Sequence, residues 1–174
     1  GARILDTIEL NNFDVKYIVN THGHHDHIGA VKEVREGTGA LVLIHSEDAH
    51  MLENPTKNLS IFMGQDSKQP KADRLLKDGD IIQVGELSFQ VLHTPGHTLG
   101  GISLYNKEGK ACFTGDTLFL GSIGRTDLPG GSYPVIIKSI KEKILTLPDD
   151  VVAYPGHGPA TTIAQEKRIN PFLR

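Results

Sequence analysis

Cysteine is nearly absent: Cys112 is the only one in 174 residues. A single thiol forms no internal disulfide, no CxxC redox pair and no thiolate-rich zinc finger, so a reducing, cytoplasmic-type compartment is the expectation. Long apolar runs are also missing. Stretches such as Leu41–Ile44 are strand length, far below the roughly 20 residues that cross a bilayer, and no charged-then-apolar signal segment opens the chain. Lys and Arg number 18 against 21 Asp and Glu, a formal net charge of −3 with no dense basic block. Neither nucleic acid nor a membrane is therefore an expected partner. No G-x-S-x-G, P-loop or complete G-x-G-x-x-G is present either.

What the chain has in excess is histidine. Four of its nine, His22, His24, His25 and His27, fall within six residues. The length suits one domain over residues 1–174. Apolar spacing predicts a helix over 2–12 ended by Asn11 and Asn12, a strand at Val15–Asn20, a helix from Ile28 to Glu36 and a strand at Leu41–His45. Residues 53–78 read as a long irregular excursion. A hairpin then joins Asp80–Val84 to Leu87–Leu92 through Gly85-Glu86, and a second pair is Gly101–Tyr105 with Ala111–Thr114. A helix over Tyr133–Leu147 has Ser132 as N-cap and Pro134 in its first turn. A strand at Val151–Tyr154 and a helix over Thr161–Arg168 complete a mixed, layered α/β pattern.

The histidine segment reads H-x-H-x-D-H, made of His22, His24, Asp26 and His27, where a strand gives way to a helix. Alternation in the extended part points His22 and His24 to one side, while Asp26 and His27 at the helix start can face a point beyond. One segment can thus serve two metal ions. Imidazole with carboxylate support suits borderline-soft divalent ions, Zn²⁺ first, with Fe or Mn as alternatives. The missing ligands are expected at other strand ends, where α/β sheets collect them. Three strands run through glycine-containing turns into ligand-type residues: His97, Asp116 and His157. The resulting assignment puts His22, His24 and His97 on one ion, Asp26, His27 and His157 on the other, and Asp116 between them.

These motifs, in this order, resemble the metallo-β-lactamase superfamily across nearly the whole chain. The resemblance implies a four-layer αββα sandwich with a binuclear site. Members normally carry strands before the helix that here starts at Ala2, so the expectation is a domain lacking its first N-terminal strands, with an incomplete sheet edge near residues 1–20. Thr114-Gly-Asp-Thr-Leu-Phe119 and the following Gly121–Gly131 stretch look most like the glyoxalase II (hydroxyacylglutathione hydrolase) branch. Cysteine is usual at the Asp116 position in the common zinc β-lactamases; here Cys112 lies four residues away.

The implied activity is hydrolysis of S-acylglutathione-type thioesters, a small-molecule substrate, by a metal-bridging hydroxide held by Asp116 and oriented by Asp26. Arg125 is the candidate for a substrate carboxylate, since similar glyoxalase II proteins place a basic residue there on glutathione; the alternative is a salt bridge with Asp127 that pins its loop. Two departures bear on the substrate. The expectation is a chain without the C-terminal glutathione-binding helical domain of the longer enzymes, and Asp127 and Pro159 stand where those enzymes carry tyrosines. A mononuclear iron persulfide dioxygenase, holding its metal through His22, His97 and Asp116, is the competing expectation, with a lactonase of the same superfamily and a non-catalytic metal-binding module behind it. His25, His45, His50 and His93 read as bystanders, and the Asn58-Leu-Ser60 sequon carries little meaning without a secretory signal.

Overall fold

A computed structural model describes all 174 residues. The chain forms two compact units, Gly1–Leu76 and Lys77–Arg174.

In the N-terminal unit, α1 (Ala2–Leu10) leads to β1 (Tyr17–Val19), α2 (His25–Ile28), α3 (Val31–Thr38), β2 (Leu41–His45), α4 (Ala49–Glu53) and β3 (Arg74–Leu76). The three strands are parallel, in the order β1-β2-β3. The central strand β2 is buried from Val42 to His45, which explains its uninterrupted apolar run: a strand with neighbours on both sides, covered by helices, has no polar face to show. Ile28, Val31, Val42, Ile44 and Leu52 form the core of this unit. β1 has β2 as its only neighbour, so the sheet ends there on an open edge.

Two expectations shift in this unit. The expected helix from Ile28 is two pieces, α2 and α3, separated at Gly29 and Ala30. The excursion over 53–78 contains a 3-10 turn at Ser60–Met63 and the strand β3. β3 is invisible to pattern because it is three residues long and opens on a charge. Its register is set from outside the strand, where the Asp73 carboxylate accepts the Val42 N–H at 2.8 Å and pairs with Arg35 at 2.7 Å.

The C-terminal unit holds β4 (Ile81–Val84), β5 (Leu87–His93), β6 (Ile102–Asn106), β7 (Ala111–Gly115), β8 (Leu118–Phe119), β9 (Ser122–Ile123), α5 (Tyr133–Ser139), β10 (Val152–Pro155), β11 (Thr161–Thr162) and α6 (Ile163–Ile169). Six strands form one sheet in the order β11-β10-β7-β6-β5-β4. β10 runs parallel to β7, while β5 and β7 are each antiparallel to β6. The carboxyl ends of β5, β7 and β10 therefore lie at one edge. Leu92, Tyr105, Cys112, Leu118, Ile136, Ile140, Ile144, Val151 and Ile163 fill the core. Burial pushes the Cys112 thiol up to about 12, so it packs as an apolar group and is protected from thiolate chemistry.

The helix from Tyr133 is α-helical only to Ser139 and continues as a π turn over Ile140–Ile144. Ile136, Ile140 and Ile144 are all fully buried. In an α-helix, residues four apart drift by about 40° per step, and the wider π turn offsets that drift to keep the third isoleucine on the core. Thr161 belongs to β11, with Thr162 capping α6 by accepting the Gln165 N–H at 3.2 Å. The glycine-rich stretch from Gly115 contains the small β8–β9 hairpin.

Candidate metal centre

In the N-terminal unit the histidine segment leaves the end of β1, where the Asn20 N–H still donates to Leu43 O at 2.9 Å. His24 is extended (φ −69°, ψ 148°) and its carbonyl accepts from the His27 and Ile28 amides, opening α2. The rings of His22 and His24 are edge-on at 4.9 Å, and those of His22 and His27 are 4.1 Å apart. Asp26 Oδ2 lies 3.4 Å from His27 Nε2. Within this segment the ligand-type atoms of His22 and His24, of His22 and His27, and of Asp26 and His27 come within 4.8 Å pairwise. His22 and His24 are buried and Asp26 is exposed. Three imidazoles and a carboxylate gathered this closely are a donor set that fits a borderline-soft divalent cation.

The segment is held in place by residues to which the sequence gives no role in the site. The buried Asp48 carboxylate accepts the Gly23 N–H at 3.0 Å. A Cβ added to Gly23 would stand 2.5 Å from Met51 Cβ, so only glycine lets the α4 end approach this loop. Asn58, fully buried, offers its carbonyl to the His25 N–H at 2.9 Å and donates its amide to Met51 O and Ser67 O. The sequon nitrogen is thus committed inside the fold and closed to a glycan. Nothing in the local pattern marks Asp48, and the sequon at Asn58 points to a different role, because the contacts that matter, with Gly23 and His25, lie far along the chain.

In the C-terminal unit, His97, Asp116 and His157 follow β5, β7 and β10 at the shared sheet edge. Asp116 Oδ2 lies 3.7 Å from His97 Nε2 and also 3.7 Å from His157 Nε2. A single carboxylate oxygen faces two imidazoles, and this second donor set fits a divalent cation as the first does. The Gly156 N–H donates to Gly115 O at 2.8 Å, tying the ends of β10 and β7 together. His97 Nδ1 donates to Arg125 O at 2.8 Å; a carbonyl only accepts, so the proton sits on Nδ1 and Nε2 is left as the ligand atom.

Arg125 itself is exposed and chelates Asp127 in a bidentate pair at 2.8 and 2.7 Å. Hydrogen bonds from that guanidinium pull the Asp127 carboxyl down to about 2. Among the expected bystanders, His93 Nε2 donates to Leu99 O at 2.9 Å, and His45 Nδ1 accepts the Glu47 N–H at 3.3 Å. His50 is an exposed residue of α4. His25 Nδ1 lies 3.6 Å from Asp26 Oδ1, beside the ligand candidates.

The family profile of the Metallo-beta-lactamase superfamily matches residues 1–157, and the chain belongs to that superfamily. Among curated proteins it is 40% identical over 180 residues to hydroxyacylglutathione hydrolase GloC of Haemophilus influenzae, covering 99% of this chain and 82% of that one. Among solved structures it superposes on BLEG-1 B3 metallo-beta-lactamase with a TM-score of 0.95 at 40% identity, over 99% of this chain and 83% of the other. For TTHA1623 in a di-iron-bound form the TM-score is 0.88 at 38% identity, over 98% and 84% of the two chains. The fold is the metallo-β-lactamase fold, mixed α/β, and the activity class that accompanies it is metal-dependent hydrolysis. No helix is long and apolar enough to cross a membrane.

Proposed function

We propose that the protein is a binuclear metal-dependent hydrolase of S-acylglutathione-type thioesters, working in a reducing, cytoplasmic compartment. The observation that carries this reading is the position of Asp116 Oδ2, 3.7 Å from the Nε2 atoms of both His97 and His157. A carboxylate facing two imidazoles from separate strand ends suits a residue shared by two ions. His22, His24 and His97 would hold one, Asp26, His27 and His157 the other, with Asp116 common to both. When bound, divalent ions supply an activated water and an electrophile for a carbonyl oxygen. Zn²⁺ suits this nitrogen-rich set best, and the di-iron form of a similar protein makes iron the first alternative.

Asp26 is the exposed carboxylate of the set, able to orient the attacking water by accepting a hydrogen bond from it. His22 and His24 are buried, so they bind without competing as surface bases. A thiolate leaves without strong acid assistance because thiols are far more acidic than alcohols. This accounts for the absence of a dedicated proton donor among the assigned residues. The GloC relative supports the thioester class. Arg125 could take a glutathione carboxylate only by exchanging its chelate with Asp127, which argues for a looser hold on the thiol portion.

Metal analysis combined with a substrate panel tests the reading. Two ions per chain and turnover of S-lactoylglutathione or related thioesters are expected. A fully loaded protein inert towards every thioester overturns it. Hydrolysis of lactones alone would move the protein to a lactonase. One iron per chain with oxygen uptake on glutathione persulfide would make it a dioxygenase.

A further inference from the structure

Glu166 is a carboxylate with no exposure to solvent, outside the set of proposed ligands, and no ion pair of Glu166 with a cation is seen. Burying an ionisable group is costly unless donors surround it, and here they do. Oε1 accepts from Thr161 Oγ1 at 2.6 Å. Oε2 accepts the Gly121 N–H at 3.0 Å and Asn170 Nδ2 at 2.8 Å. Asn170 Nδ2 also donates to Ser122 O at 3.0 Å. The carboxylate on α6 and the amide just beyond it therefore grip Gly121 and Ser122, at the turn of the β8–β9 hairpin.

That hairpin continues straight into the metal candidates. Gly124, one residue past β9, donates its N–H to Thr117 O at 3.2 Å. A Cβ on Gly124 would fall 1.8 Å from Asp116 O, so the returning strand lies flush on the Asp116 backbone. The next residue, Arg125, gives its carbonyl to His97 Nδ1 at 2.8 Å. A shift of the hairpin would move both the backbone beside Asp116 and the acceptor that fixes the His97 tautomer.

We propose that Glu166 is a positioning residue for the metal centre: through Gly121 and Asn170 it locks the β8–β9 hairpin, and the hairpin in turn sets Asp116 and the Nδ1–H tautomer of His97. The inference rests on the metal-binding reading of His97 and Asp116. It needs no particular substrate.

The experiment compares Glu166→Leu with Ile163→Val, a core trimming on the same helix that lowers stability without touching the clamp. Leu fills a similar space but accepts no hydrogen bond, so the Gly121 N–H and the Asn170 amide lose their acceptor. In metal-free protein, imidazole ¹⁵N signals should report one Nδ1-protonated tautomer of His97 in wild type and Ile163→Val, and a mixture in Glu166→Leu. In chelator competition for Zn²⁺ well below the melting temperature, Glu166→Leu should lose about ten-fold or more in affinity, the range found when orienting partners are removed, and Ile163→Val less than two-fold. If Glu166→Leu does not fold, Asn170→Ala, which cuts the Ser122 link and keeps the Gly121 one, should show the same two changes at smaller size. Unchanged tautomer and affinity in a folded clamp variant overturn the proposal. A wild type that takes up no divalent ion overturns the metal reading instead, and the tautomer still decides the role of Glu166.

Discussion

The two units assemble their ligand candidates by opposite routes. In the N-terminal unit four of them lie within six consecutive residues after one strand, and a single loop sets their arrangement. In the C-terminal unit three come from widely separated positions and meet because β5, β7 and β10 end at the same sheet edge. The first set depends on a few contacts that clasp one loop, chiefly Asp48 and Asn58. The second depends on strand register, which many ladder hydrogen bonds and a buried face hold cooperatively. Damage to a clasp should therefore spread over several ligands at once, whereas damage to one strand end should stay local.

The largest expected effect tests the local half of that contrast. Asp116 follows β7 and takes no part in its pairing, so Asp116→Ala should leave the metal-free protein folded, with a cooperative melt. Loss of the oxygen that faces both His97 and His157 should lower metal stoichiometry and cut thioester hydrolysis by about 10³-fold, equivalent to about 4 kcal/mol of transition-state stabilisation. Steady-state kinetics with metal analysis reads both. Activity within ten-fold of wild type would remove Asp116 from the centre.

The clasped loop should respond differently. Asp48→Ala leaves the Gly23 N–H without its acceptor inside the protein, which costs about 1–3 kcal/mol of stability, and should weaken metal binding by about 10- to 100-fold. Asp48→Asn retains an acceptor oxygen and should cost much less on both measures. Gly23→Ala drives a methyl into Met51 and should cost about 1–3 kcal/mol by overpacking. Denaturant melts and chelator competition measure the series. Equal behaviour of Asp48→Ala and Asp48→Asn would show that the Gly23 contact is not what holds the loop.

The same contrast explains what was readable without coordinates. H-x-H-x-D-H is compact, and its chemistry shows in the letters alone. His97, Asp116 and His157 are legible because each follows an apolar strand and a glycine turn, a pattern that survives long spacing. β3, the break between α2 and α3, and the π turn after Ser139 were not legible. They arise from tertiary demands: a carboxylate at Asp73 tied to Val42, or three isoleucines that must reach one core. Asp48, Asn58 and Glu166 escaped for the same reason. Each looks like an ordinary polar residue, and only its distant partners give it a role.

The smallest effect concerns Arg125, where backbone and side chain do separate jobs. Its carbonyl orients His97, and any residue supplies a carbonyl, so Arg125→Ala should leave metal affinity unchanged and lower the melting temperature only slightly. The exposed guanidinium pairs with Asp127, and exposed pairs contribute little to stability. What should change is the KM for a glutathione thioester, rising while kcat holds, if the side chain touches substrate. The pair also has a pH signature. The Asp127 carboxyl is drawn down to about 2 by the Arg125 hydrogen bonds, below the usual value of about 3.9 for an unfolded aspartate. A depressed carboxylate favours the folded state above that unfolded value, and the contribution fades as pH falls towards 2. Carboxyl ¹³C shifts should place the Asp127 midpoint near 2 in wild type and return it to the ordinary range in Arg125→Ala. A wild-type midpoint already near 4 would mean that the chelate does not persist in solution, leaving Arg125 free to meet a substrate carboxylate directly.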